Sequence, residues 1–232
     1  MGRKCVWILA ACLAAAALAT PAAAAPRQVG TLSFTSTVPG TVTGSVLDVH
    51  FQNPDNPSLK PYAASRMVIH MPTGARMDTT VPPQCHATDA EIYALGFDAC
   101  PEETRIGQGL AESDNGNGTT SKTTLRHFNN QDEVVGVGQN NDIPVIRTID
   151  RTRIEGDTTT SNFPLFPGVP PPEPYTPVKD LDITIEPYGT NERPYARTPP
   201  TCPANGSWKF KIDFTYRDGV TETLVSRSPC VR

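Results

Sequence analysis

After its first 25 residues the chain has no long hydrophobic run, and nowhere does it cluster Lys and Arg. The first absence excludes a polytopic membrane protein. The second, with a formal net charge of -4, makes nucleic acid or an anionic membrane a poor partner. No pair of cysteines has the short spacing of a structural zinc site. Metalloprotease, nucleophile-elbow, Ser-x-x-Lys and phosphate-loop patterns are all missing, so no metal or cofactor is called for. Aromatic residues make up only 7% of the chain. Proline is abundant instead: 24 Pro and 17 Gly in 232 residues favour turns, loops and strand edges over long helices.

The N-terminus has its own character. Arg3 and Lys4 precede an apolar run from Cys5 to Ala19, and Ala22 to Ala25 supply small residues for a cleavage site. This is the pattern of a secretory signal peptide over residues 1–24, with a run too short for a spanning helix. Leu9-Ala10-Ala11-Cys12 gives an alternative, a lipobox whose Cys12 would be lipidated, although the apolar run continues beyond it. Residues 25–232 then read as a single exported domain with no membrane span.

Outside that segment four cysteines remain: Cys85, Cys100, Cys202 and Cys230. An even number in an exported chain reads as two disulfides, and four cysteines allow three pairings. Thr88-Asp89-Ala90-Glu91 fits a capping box, in which Thr and Glu side chains satisfy free backbone donors at a helix start. Gly96 stops the helix, so Cys85 and Cys100 bracket one short helix and nearest-neighbour pairing joins them. Near the C-terminus, Trp208, Phe210, Ile212, Phe214 and Tyr216 alternate with polar residues, which means a strand with one buried face. Asp218-Gly219 then signals a hairpin. With a two-residue turn, Arg217 faces Val220 and Ser207 faces Cys230, which brings Cys202 to Cys230.

Leu47, Val49 and Phe51 share one strand face, as do Met67, Ile69 and Met71, and Leu181, Ile183 and Ile185. Weaker strands are expected at Ile106 to Ala111, Thr123 to Phe128, Val134 to Val137 and Val145 to Ile154. A Pro-rich stretch at 163–177 reads as an extended strap across a sheet. Many short strands with one short helix predict an all-β protein, an antiparallel β-sandwich.

Met71-Pro72-Thr73-Gly74, Pro83-Gln84-Cys85, Cys100-Pro101 and Ile106-Gly107-Gln108-Gly109 together resemble a pattern in exported actinobacterial proteins. Thr198-Pro199, Cys202-Pro203, Trp208, Asp218-Gly219 and Pro229-Cys230 are similar to the ending of the same proteins. The resemblance implies export, a β-sandwich and paired cysteines, and it carries no catalytic residues.

The remaining chemistry is sparse. Asp180, Asp182 and Glu186 lie on one strand face, where carboxylates serve Ca²⁺ binding or glycan hydrolysis. The same alternation makes them the wet face of an amphipathic strand, which is the expected reading. Asp48 and His50 share another face, and His70, His86 and His127 are isolated. Asp114-Asn115-Gly116-Asn117-Gly118 reads as a hairpin loop rather than a calcium loop. No nucleophile–base set emerges, so a non-catalytic protein of the bacterial envelope or exterior is expected, binding a cell-surface polysaccharide or protein. The alternatives are an extracellular glycan hydrolase and a lipoprotein anchored through Cys12.

Overall fold

The computed structural model of the chain describes residues 25–116, 118–163 and 176–231. Residues 1–24, read above as a signal peptide, Asn117 and all but the ends of the Pro-rich stretch at 163–177, read above as a strap, lie outside the described residues. In chain order the strands are β1 (Gln28–Phe34), β2 (Ser45–Phe51), β3 (Ala64–His70), β4 (Arg76–Met77), β5 (Arg105–Asp114), β6 (Thr120–Asn130) and β7 (Glu133–Asn140). They continue with β8 (Arg147–Glu155), β9 (Thr158–Asn162), β10 (Val178–Ile185), β11 (Ala196–Arg197), β12 (Ser207–Tyr216) and β13 (Thr221–Pro229). The helix α1 (Asp89–Leu95) falls between β4 and β5. Among the described residues, all but β4 and β11 join one antiparallel sheet in the order β1-β2-β10-β5-β6-β7-β8-β9-β3-β12-β13. The fold is all-β and antiparallel, with the short helix between Cys85 and Cys100.

The sandwich is a single sheet rolled over on itself. Phe34 of β1 meets Trp208 and Phe210 of β12, and Phe51 of β2 packs edge-on against Phe214 with ring centroids 5.4 Å apart. Strands from opposite ends of the sheet therefore face each other across one core. The two ends also meet. Ser226 Oγ accepts a hydrogen bond from the Leu32 amide at 2.8 Å and donates to the Leu32 carbonyl at 2.9 Å. Ser228 Oγ accepts from the Phe34 amide at 3.0 Å. Below this seam Arg27 lies over the rings of Tyr62 and Tyr216 and pairs with Asp218 and Glu222.

Local sequence explains the best-formed parts. Along β12, Trp208, Phe210, Ile212, Phe214 and Tyr216 are all buried while the residues between them are more exposed. The hairpin after β12 departs from expectation. Ser207 faces Pro229 rather than Cys230, because the loop has three residues, Arg217 to Gly219. Gly219 takes φ +85° and Asp218 Oδ1 accepts from the Val220 amide, so the extra residue is absorbed in a glycine bulge. Cys202 and Cys230 are nevertheless bridged, as are Cys85 and Cys100. Thr88 and Glu91 form the reciprocal cap of α1.

The Cys85–Cys100 segment roofs the outer face of β6–β8. Ile92 and the disulfide pack on Phe128, Val135 and Val137, and Arg151 reaches up to Asp89 at 2.7 Å. The middle of the sheet is thus covered on both faces, which suits the near-continuous apolar and small residues of β7.

The alternation of β12 makes neighbouring substitutions unequal. Phe214→Ala should cost about 3–5 kcal/mol, as for other fully buried aromatics. Thr215→Ala, on the opposite face, should cost less than about 1 kcal/mol. Urea unfolding of both variants measures the contrast, and equal losses would contradict a half-buried β12.

Candidate functional site

The acidic residues singled out from sequence stay on the outside. His50 Nδ1 lies 2.6 Å from Asp180 Oδ1, with both side chains about two-fifths exposed. Asp182 sits opposite Asp48 on the same face. Partial desolvation, and then the charges of Asp48 and Asp180, raise its carboxyl above the ordinary range. Glu186 falls beyond the end of β10 and is exposed, so the three carboxylates do not converge. His70 pairs with Asp213 at 3.1 Å and His86 is exposed. Among the described residues no group of three or more His, Cys, Asp or Glu is placed to hold a metal.

The roll leaves a space the sequence did not announce, partly open to solvent. Its interior holds a cavity of about 190 Å³. Leu32, Leu47, Leu125, Leu181, Ile183 and Phe210 supply apolar walls, and Met67, Met71 and Met77 add flexible ones. Leu125 of β6 faces Gly109 on one side and Gly138 on the other. His127 faces Gly107 and Gly136 in the same way. Leu125 and His127 thus stand between glycines; at Gly107, Gly109 and Gly138 a Cβ would come within 2.4 Å of the β10 backbone or of Thr148 Oγ1, so these glycines let the neighbouring chain approach closely.

One end of this interior is polar. His127, Gly136 and Asp150 are consecutive cross-strand partners on β6, β7 and β8, and all three line the cavity. A Cβ on Gly136 would be in ordinary contact with the Asp150 Cβ and with Cδ2 of the His127 ring, both at 3.5 Å. Thr152 donates to Asp150 Oδ2 at 2.7 Å and lies 2.5 Å from Ser161 Oγ. Asp150 Oδ1 and His127 Nδ1 are buried and have no hydrogen-bond partner among the described residues. Burial pushes the His127 imidazole down to about 4, so it is neutral at physiological pH. Burial pushes the Asp150 carboxyl up, against the pull of Thr152, Ser161 and the Asn162 amide.

These residues make a polar end on an apolar chamber, with the two unpartnered atoms themselves closed off from it. Sequence reasoning passed over His127 as an isolated histidine. The signal that marks it is the pair of Gly-x-Gly segments, Gly107–Gly109 and Gly136–Gly138, whose strands flank its own. No family model, curated protein or solved structure matches the chain.

The buried imidazole gives a pH signature. Between its ordinary value of 6.5 and about 4, the unfolded chain takes up a proton at His127 that the folded chain refuses. Stability is therefore lost as pH falls through that window and levels off beneath it. Asp150 has the opposite sign: its contribution is full below 3.8 and is lost as pH rises through its raised folded value. Relative to His127→Leu, the wild type should lose about 2–3 kcal/mol of unfolding free energy between pH ~7.5 and ~4.5. A difference independent of pH, measured by urea unfolding, would show that the imidazole is hydrated in the folded protein.

Proposed function

We propose that this chain is an exported, non-catalytic binding protein whose rolled sheet carries a small, largely apolar molecule in its interior. The carrying observation is the cavity of about 190 Å³ with its mostly apolar lining. An apolar cavity of ~150 Å³ is enough to hold benzene, so the chamber suits a ligand of about eight non-hydrogen atoms. That chemistry is unlike the cell-surface polysaccharide or protein expected from the sequence alone, which would need an exposed polar or aromatic surface.

Export is supported by the N-terminal charge and apolar pattern of residues 1–24 and by two disulfides, which persist in oxidising compartments. Among the described residues no helix is long and apolar enough to cross a membrane. The resemblance to exported actinobacterial proteins points the same way. A lipid on Cys12 would tether the same chamber to a membrane surface, and the intact mass of the exported protein separates the two forms.

A ligand that binds only the folded state raises its melting temperature. Benzene at roughly ten times its dissociation constant should raise Tm by about 3–5 °C. Leu125→Trp, which pushes an indole into the cavity that Leu125 lines, should abolish the rise while the variant still melts cooperatively. Superimposable wild-type melts with and without benzene would remove the basis of the proposed function.

A further inference from the structure

The cavity reaches one end of the roll, where two arginines stand directly opposite each other, Arg76 on β4 and Arg197 on β11. From this pair we propose that the ligand is an amphiphile, with an apolar tail in the chamber and one carboxylate head held by the two guanidinium groups. The inference rests on the cavity being a binding site and adds the head group and where it lies.

Strand registers locate that end. Phe34, Ser45 and Ile185 are cross-strand partners where β1 ends, β2 begins and β10 ends, and all three line the cavity. The β4–β11 ladder sits beside them: Val42 bridges to Arg197, and the Thr43 amide donates to the Ala196 carbonyl. Met77 and Ala196, the other pair of the ladder, line the cavity as well. Among the described residues that line it, Arg76 is the exposed one, so the space opens to solvent at this ladder.

Like charges directly opposite on a ladder destabilise each other, and an anion between them removes the cost. Opposed side chains start from Cβ atoms about 5 Å apart, which lets both guanidinium groups reach one carboxylate. Among the described residues neither arginine forms an ion pair. Arg197 donates to the Asn191 carbonyl, which occupies one donor of a group that has several. Glu192 is the acidic group that feels Arg197, although hydrogen bonds from Thr190 and its own amide do more to hold its carboxyl below the ordinary range. One negative charge beside two positive ones leaves room for a single further anion, and a carboxylate matches the planar guanidinium fork. An ammonium head would be repelled, and an uncharged head would leave the two cations facing each other.

The test titrates octanoate, octanol, octylamine and octyl phosphate into the full chain at neutral pH, followed by calorimetry. The tail is common to all four, so the head alone varies. Octanoate should bind at least about tenfold more tightly than octanol or octylamine. Its affinity should fall several-fold between about 0.05 and 0.5 M NaCl, while that of octanol does not fall, because an accessible ion pair is screened by salt. In Arg76→Gln and Arg197→Gln the advantage over octanol should shrink below about threefold with octanol binding retained. The ligand series on the wild-type protein decides the question by itself should either variant fail to fold. Octanol binding as tightly as octanoate, or an advantage that survives both substitutions, would overturn the head-group assignment and leave the apolar chamber standing. Tighter binding of octylamine would overturn it in favour of a cation, and tighter binding of octyl phosphate in favour of a doubly charged head. Binding of none of the four would overturn both this assignment and the binding function beneath it.

Discussion

An antiparallel sheet with eleven strands cannot close on itself with an unbroken antiparallel ladder, because its first and last strands run the same way. That constraint shapes this molecule. β1 and β13 are parallel neighbours at the two ends of the sheet, and they meet through serine side chains rather than a continuous backbone ladder. Ser226 and Ser228 project from β13 onto the β1 backbone, and Ser226 returns a hydrogen bond to the Leu32 carbonyl. Serine suits the corner, being short and able to donate and accept from one oxygen. Arg27 with Asp218 and Glu222 holds one end of the seam, and the Val231 amide bonded to the Thr37 carbonyl holds the other. Were the seam open, the aromatic inner face of β12 would lose its cover from Phe34 and Phe51.

A roll that is closed but hollow forgoes part of its packing energy, since the lining loses dispersion contacts wherever it faces empty space. The structure places its compensation around the chamber rather than in it. The aromatic cluster of Phe34, Phe51, Trp208, Phe210 and Phe214 fills one side. On the other side, the Cys85–Cys100 loop seats Ile92 against Phe128, Val135 and Val137, outside the strands that bear His127 and Asp150. A disulfide closing a loop of 15 residues is worth about 3 kcal/mol in the chain-entropy model, so the roof is anchored independently of the interior. The outer layer thus fixes β6, β7 and β8 from behind, leaving their inner faces free to carry glycines and unpaired polar atoms.

Which of these features can be read along the chain follows from the range of the interactions that make them. The β12 strand, the capping box of α1 and the cysteines near each other in sequence are local patterns, and each is where its residues point. β9, with Thr158, Thr159, Thr160 and Ser161, has no apolar alternation, and β1 is interrupted by Gly30, so neither announces itself as a strand. The hairpin register was displaced by one residue because a loop length is decided by Gly219 and Asp218 together, not by the dipeptide alone. The cavity is the least local feature of all. Its walls come from strands far apart in the chain, Leu32 of β1, Leu47 of β2, Leu125 of β6, Leu181 of β10 and Phe210 of β12, which meet only once the sheet has rolled. The carboxylates on β10 were visible for the converse reason, since a wet strand face needs no partner to be recognised, and they form a surface array rather than a site.

The central claim is that the interior of the roll takes up a small, largely apolar molecule. The most direct measurement is the amide spectrum of ¹⁵N-labelled protein during titration with benzene. The account predicts saturable shifts at Leu125, His127, Gly136, Gly138 and Asp150, reaching completion at one ligand per chain, while Ile92 and the amides beside Cys85 and Cys100 stay in place. Shifts confined to the outer face, at Asp48, His50, Asp180 and Asp182, or the absence of any saturable shift, would contradict it.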